Sequence, residues 1–282
     1  MVNIKNDLKK LRLIFDFYVK SSIHLSICLL AFCTVSYITL DIDISFLILL
    51  SSFAATLVIY NYIKFFADNL FLEHEQTLSK KLIKTITIIF LFILISVIPF
   101  LNFITVAIGL AIFTFTIAYV IPIFGLKKNF RNFGGIKILI VAICWSATSV
   151  LVPVAESQLF LDQKSITVFF QRIFLIFACT IPFEIRDLKY DLSALQTIPQ
   201  VYGIQKTKFL GILSLIIFLI FSFHLHYENS VIFFSELMVS MFVACLVIFS
   251  EKQQKKYFSS FFVESVPIVW VGFTIVFRHL LN

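Results

Sequence analysis

Charge is scarce in this chain: Asp, Glu, Lys and Arg together make up 14% of its 282 residues, against 60% hydrophobic residues. A soluble domain of this length could not hide so much apolar surface in one core, which excludes a water-soluble globular protein. Glycine and proline are rare too, with seven and six residues. No Gly/Ser-rich linker or low-complexity block divides the sequence, so a single transmembrane domain over 1–282 is the simplest organisation. The five cysteines, Cys28, Cys33, Cys144, Cys179 and Cys245, all lie in apolar stretches and form no CxxC. Buried thiols of that kind pack as small hydrophobes. His24 and Cys28 share a helix face, but two ligands do not make a metal site, and their reading is structural. No cleavable signal peptide is expected. The first twenty residues are basic and amphipathic, and no small-residue cleavage site follows the apolar run from Ser22.

What is present is long apolar runs, with a mean hydropathy of +1.00. A membrane-spanning helix needs about 20 largely apolar residues. Nine stretches meet or approach this: Ser22–Leu40, Ile44–Ile63, Thr85–Leu101, Phe103–Phe124, Ile138–Ala155, Ile166–Phe183, Phe209–Leu225, Val231–Ser250 and Phe261–Leu280. The third and fourth are separated only by Asn102. The fold class expected is therefore an all-α integral membrane bundle of about nine transmembrane helices.

The cations support that number independently. Twenty of the 23 Lys and Arg residues fall at the N-terminus or in the intervals after segments two, four, six and eight. Removing or adding one segment would scramble the alternation. By the positive-inside rule the N-terminus and these loops are cytoplasmic, in a multi-pass protein of the cell (plasma) membrane. The same rule accounts for the net charge of +7 without nucleic acid, which is not expected as a partner. Within the membrane, Arg172 and Glu236 lie at similar depth from the outer side, which points to a structural ion pair. Glu264 sits near the cytoplasmic end of segment nine, at the depth of the charged loops.

The loop leaving segment six carries the densest chemistry. If helix six continues beyond the apolar run, Glu184, Asp187 and Asp191 stand at i, i+3 and i+7 and share about 60° of arc. Three acids so close repel one another unless a cation bridges them, and Mg²⁺ shared with phosphate oxygens suits hard carboxylate ligands. The alternative is a solvated helix end, with Arg186 and Lys189 as partners. Thr197, Pro199 and Gly203 follow.

With these residues the sequence resembles the UbiA superfamily of polyprenyl-diphosphate prenyltransferases. In that family's second motif an acid-x-x-Asp-x-x-x-Asp run precedes a Thr-x-Pro and a Gly. Here Glu184, Asp187, Asp191, Thr197, Pro199 and Gly203 take those places. Leu195 stands where the family often has a small residue, and the spacer to Thr is about one residue short. The family's first motif resembles Asn-Asp-x-x-Asp-x-x-x-Asp at the end of helix two. Aligned on Asn61, its three Asp positions are Tyr62, Phe65 and Asn69; shifted by one they are Asn61, Lys64 and Asp68. Most carboxylates of that half are missing. Lys64 could meet a diphosphate directly as a point charge, although Asn61 and Lys64 equally suit an ordinary interfacial helix end. A third likeness is Tyr119-Val-Ile-Pro122 followed by Lys127, Lys128 and Arg131.

The resemblance covers the whole chain in topology and about forty to fifty residues in motif. It implies transfer of an isoprenoid chain from a polyprenyl diphosphate to an aromatic or other lipophilic acceptor, as in quinone or related lipid biosynthesis. It further implies Mg²⁺ as cofactor on Asp187 and Asp191, with Glu184 and Asp68 supporting. Asn61, Lys64, Tyr119, Lys128 and Arg131 would bind substrate, and Lys127 and Lys128 would stabilise the leaving diphosphate. Phe183 or Tyr62 could shield an allylic cation. Membrane lipid would surround the whole. The damaged first motif leaves open a catalytically degenerate relative that binds lipid, quinone or a protein partner without turnover. A secondary transporter fits less well, because the acids sit at loop ends and not at the bilayer midplane.

Overall fold

In lipid every backbone N–H and C=O must be satisfied within its own segment, so apolar runs of this length become helices. The computed structural model describes residues 2–66, 78–120, 134–157, 161–191 and 195–281, and within them helices are joined by short turns, with no strand among the described residues. Helix α1 is Val2–Lys20, α2 Ile23–Leu40, α3 Phe46–Phe66, α4 Leu78–Val97 and α5 Phe103–Val120. Next come α6 (Gly134–Ser146), which runs through a π-helical turn (Ala147–Leu151) into α7 (Val152–Glu156), then α8 (Gln163–Asp187) and α9 (Ile198–His226). Last are α10 (Ser230–Ile248), a π-helical segment (Phe258–Val263), and α11 (Val266–Leu281).

Eight helical stretches among the described residues are long and apolar enough to cross a membrane, and α11 is a shorter apolar helix that its π-helical lead-in extends. This matches the expected bundle of about nine. The boundaries differ by a few residues, most for Ile198–His226, whose first turns are polar and were not counted in the apolar run. The basic N-terminal twenty residues form their own helix. Asn102 does mark the turn between α4 and α5: its backbone N–H donates to Glu156 Oε2 at 3.1 Å and its Nδ2 to the Glu156 carbonyl at 2.9 Å.

The core sits where α2, α8, α9, α10 and α11 meet, around Phe32, Leu175, Ile181, Phe218, Val243 and Trp270, all buried. Lipid tails are as apolar as these side chains, so close approach and interhelical hydrogen bonds hold the helices together. Gly211 supplies one such approach: a Cβ there would lie 3.1 Å from Ile181 Cγ1 and 3.2 Å from Val247 Cγ1. By contrast, α4 and α5 leave most of their surface outside the protein core, with Phe92, Phe103, Phe113 and Phe115 exposed, as lipid-facing helices do.

At the end of the bundle opposite the acids, Arg172 and Glu236 meet as the depth argument expected. Arg172 Nη1 lies 4.0 Å from Glu236 Oε1, and both side chains are fully buried. The guanidinium also stacks on Trp270, 3.9 Å from its centroid, and donates to Thr39 Oγ1 at 3.3 Å. His24 and Cys28 are likewise structural. The His24 ring contacts Tyr18 OH (2.9 Å), the Phe261 carbonyl (3.3 Å) and Cys28 Sγ (3.6 Å).

Candidate functional site

The charged residues of interest collect at one end of the bundle: the ends of α3, α5 and α8 and the starts of α6, α9 and α11. Helix α8 carries Pro182 inside its last turns and stops at Asp187. One further turn closes as the N–H groups of Tyr190 and Asp191 donate to the Asp187 carbonyl at 2.8 and 2.9 Å. Asp191 therefore stands in a turn beyond the helix and not on a continuing helical face.

The acids do not lie bare. Lys137, in the first turns of α6 and 8% exposed, places its Nζ 2.8 Å from Glu184 Oε1 and 3.4 Å from Asp191 Oδ2. Asp187 Oδ1 instead accepts from Arg186 Nε at 2.7 Å. Glu184 is itself buried, and its Oε2 accepts no hydrogen bond. Repulsion between neighbouring carboxylates is thus relieved by protein cations, and Lys137 marks the point on which two of the acids converge.

Two backbone devices put Lys137 there. Gly134 opens α6 against the following loop, so closely that a Cβ would fall 2.1 Å from the Gln196 carbonyl oxygen and 2.7 Å from that of Leu195. Only glycine allows that approach. The loop is in turn fixed by the start of α9. The Thr197 N–H donates to Gln200 Oε1 (3.0 Å), Gln200 Nε2 reaches the Asp191 carbonyl (3.4 Å), and Pro199 occupies the first helical turn, where its missing N–H costs nothing. Gly203, at φ 80° and ψ 164°, then breaks α9 in a region essentially reserved for glycine. The Thr197, Pro199 and Gly203 pattern is thereby a capped turn and a kink that position the loop.

In the first-motif region, Lys64 donates to Ser22 Oγ at 3.0 Å, at the α1–α2 junction. Half-buried Glu264 lies within electrostatic reach of both Lys64 and Arg186. Tyr119 lies in the same range of Lys137 and of Tyr60, whose hydroxyl accepts from Trp145 Nε1 at 2.6 Å. Asn61 is engaged elsewhere: its Nδ2 donates to Thr87 Oγ1 of α4 at 2.9 Å. Asp68, Lys127, Lys128 and Arg131 lie outside the described residues.

Among the described residues no group of three His, Cys, Asp or Glu side chains converges closely enough to hold a metal. What the residues do offer is a pair of hard carboxylates, Glu184 and Asp191, already gathered around a positive charge, with one buried carboxylate oxygen lacking a hydrogen bond. Two hard carboxylates are the ligand type that a divalent cation such as Mg²⁺ takes, and they leave most of its coordination positions to other ligands.

Two of these residues were not singled out by the sequence reading. Lys137 was only one more loop cation; its signal was the Gly134-Gly135 pair, which starts a helix one turn before it. Gly134 itself was invisible, because its role depends on a loop sixty residues away.

No protein-family model and no curated protein matches this sequence. Its fold, however, is similar to that of a solved structure, the membrane prenyltransferase digeranylgeranylglyceryl phosphate synthase. The TM-score is 0.55 at 16% identity, over 93% of this chain and 94% of that one. The likeness bears out the expected fold class, an all-α integral membrane bundle. At this identity the likeness speaks for the fold, and the chemistry has to be argued from the site.

Proposed function

We propose that this protein transfers an isoprenoid chain from its diphosphate to a lipophilic acceptor within the membrane, with the diphosphate bound at the charged end of the bundle. The observation that carries the reading is the convergence of Glu184, Asp191 and Lys137 on one point, next to the Arg186–Asp187 pair, at the end of a bundle similar in fold to a prenyltransferase. The positive-inside distribution orients that end toward the cytoplasm.

The division of roles follows from charge. Glu184 and Asp191 would hold Mg²⁺ jointly with the diphosphate, and Asp187 keeps Arg186 in place. When bound, the metal neutralises charge developing on the leaving diphosphate. Lys64 and Lys137, with Lys127, Lys128 and Arg131 of the α5–α6 loop, supply the fixed positive charge that stabilises the same oxygens as the C–O bond breaks. Glu264, within electrostatic reach of Lys64 and Arg186, would face an approaching acceptor hydroxyl or carbon acid. The prenyl chain would lie along Phe- and Ile-rich helix faces, with Phe183 and Tyr62 shielding an allylic cation from water. The acceptor would be an aromatic or other lipophilic molecule, as in quinone or related lipid biosynthesis, reaching the site from the membrane.

One observation favours a second reading, a non-catalytic relative that binds lipid, quinone or a protein partner. The three Asp positions of the first motif hold none when aligned on Asn61 and one when shifted by a residue. Incubating membranes that contain the protein with labelled prenyl diphosphates and Mg²⁺ separates the two. Release of diphosphate supports transfer, and its absence across chain lengths and acceptors supports the relic.

A further inference from the structure

A cation site that already contains a cation has a consequence for the order of binding. We propose that Lys137 occupies the cation position between Glu184 and Asp191 in the substrate-free protein and must leave it before a divalent metal can enter, so that metal and diphosphate bind only together. The inference rests on the prenyl-diphosphate reading of the site and assigns Lys137 a regulatory part in it.

The geometry leaves little choice. With Nζ at 2.8 Å from one carboxylate and 3.4 Å from the other, the ammonium fills the space that both acids face. Mg²⁺ would sit about 2.0–2.1 Å from its oxygen ligands, in contact with that amine, where like charges repel most strongly. Nor can Lys137 withdraw by a slide of its helix. Gly134 packs the start of α6 hard against the carbonyls of Leu195 and Gln196, which blocks a slide toward that loop and leaves the long side chain as the part that swings.

Its departure needs a second anionic partner, because a buried ammonium stripped of its carboxylates pays a heavy desolvation cost. A diphosphate offers that partner. Its oxygens can take the Lys137 ammonium while they complete the coordination shell of the metal that replaces it. A phosphate-free metal offers the ammonium nothing and meets its charge. Lys64 differs in this respect, since its hydrogen bond goes to the neutral Ser22 hydroxyl and it need not be displaced.

Mn²⁺ binding, followed by electron paramagnetic resonance on the purified full chain in detergent, tests the idea. Without prenyl diphosphate the wild type should bind Mn²⁺ weakly, and Lys137→Met should bind it about tenfold more tightly. Lys137→Arg, which keeps the charge, should gain nothing. A non-hydrolysable prenyl diphosphate analogue should tighten Mn²⁺ binding in both proteins by completing the coordination shell, and by about tenfold more in the wild type, where it also takes up the Lys137 ammonium. The proposal is overturned if folded Lys137→Met, verified by its melting transition, binds Mn²⁺ no better than wild type. A measurement on the wild type alone also overturns it: Mn²⁺ affinity equally high with and without the analogue. Failure of every form to bind the analogue would contradict the prenyl-diphosphate reading, while the Mn²⁺ comparison without analogue would still decide the role of Lys137.

Discussion

Arg172 and Glu236 face each other across 4.0 Å with no exposed surface on either side chain, and Arg172 Nη1 and both Glu236 oxygens lack a hydrogen-bond partner. Their attraction is one of long-range charge, supplemented for Arg172 by the Trp270 ring and the Thr39 hydroxyl. His226 Nε2 stands 3.9 Å from the same Glu236 oxygen. The cluster joins α8, α9, α10 and α11 at the end of the bundle away from the acids, so it acts on stability and not on the candidate site.

Glu236→Gln should therefore destabilise the bundle and leave ligand binding unchanged. The cost should fall between the roughly 0.6 kcal/mol typical of interhelical polar pairs in lipid and the roughly 3 kcal/mol lost when a buried pair is broken. Unfolding in mixed micelles measures it. Replacing both partners with apolar residues of similar size should recover part of the loss, and a double variant worse than Glu236→Gln would refute the pairing.

Gly134→Ala acts on the site at a distance. The added methyl meets backbone carbonyls and no flexible side chain, so either α6 or the 195–196 loop must move. A cost of about 1–3 kcal/mol is expected. Because Lys137 rides on α6, affinity for a prenyl diphosphate analogue should fall together with stability. Gly211→Ala, which crowds only the movable side chains of Ile181 and Val247, should reduce stability and leave affinity intact. Equal effects of both substitutions on affinity would contradict the clamp.

Much of this architecture was legible in the sequence for simple reasons. Span length, hydropathy and the alternation of cations all depend on the bilayer, which acts on each segment independently of its neighbours. Depth alone was enough to pair Arg172 with Glu236. The Lys137 bridge was not legible, because it depends on how closely α6 approaches a loop near residue 196. Nor was the end of α8 at Asp187: the acids suggested a continuous helical face, whereas the chain turns there and delivers Asp191 from outside the helix. The position of Asn61 could not show that its Nδ2 donates to Thr87 of α4.

Orientation follows from the charge distribution. Reporter fusions after Leu126 and Gly203 should read cytoplasmic, and one after Ser157, beside the Asn102–Glu156 contact, should read external. A cytoplasmic signal at Ser157 would rule out the alternating nine-span arrangement.

Helix α1 is tied to the segment before α11 through Asp16, which accepts hydrogen bonds from Lys256 Nζ and, at 2.6 Å, from Tyr257 OH. These bonds, that of Lys256 foremost, hold the Asp16 carboxyl below the usual carboxylate range. A depressed pKa contributes stability above the unfolded value, and that contribution fades as pH falls through the folded one. Hydrogen exchange of α1 should thus be slow at neutral pH and accelerate on acidification below about pH 4. Asp16→Asn should show the faster exchange already at neutral pH, and identical profiles for the two proteins would disprove the tether.

The central claim, a diphosphate held by the acids that follow α8, is tested most directly by calorimetry with a non-hydrolysable prenyl diphosphate analogue and Mg²⁺. The wild type should bind the two together, with little Mg²⁺ affinity when the analogue is absent, because two carboxylates alone leave the coordination shell incomplete. Asp191→Asn should abolish the linked binding by removing a ligand, and Asp187→Asn should abolish it by releasing Arg186. Asp68→Asn should weaken it less, since Lys64 and the basic loop still supply charge. A wild type that binds no analogue in the presence of Mg²⁺, or Asp187→Asn and Asp191→Asn variants that bind it as well as wild type, would contradict the account.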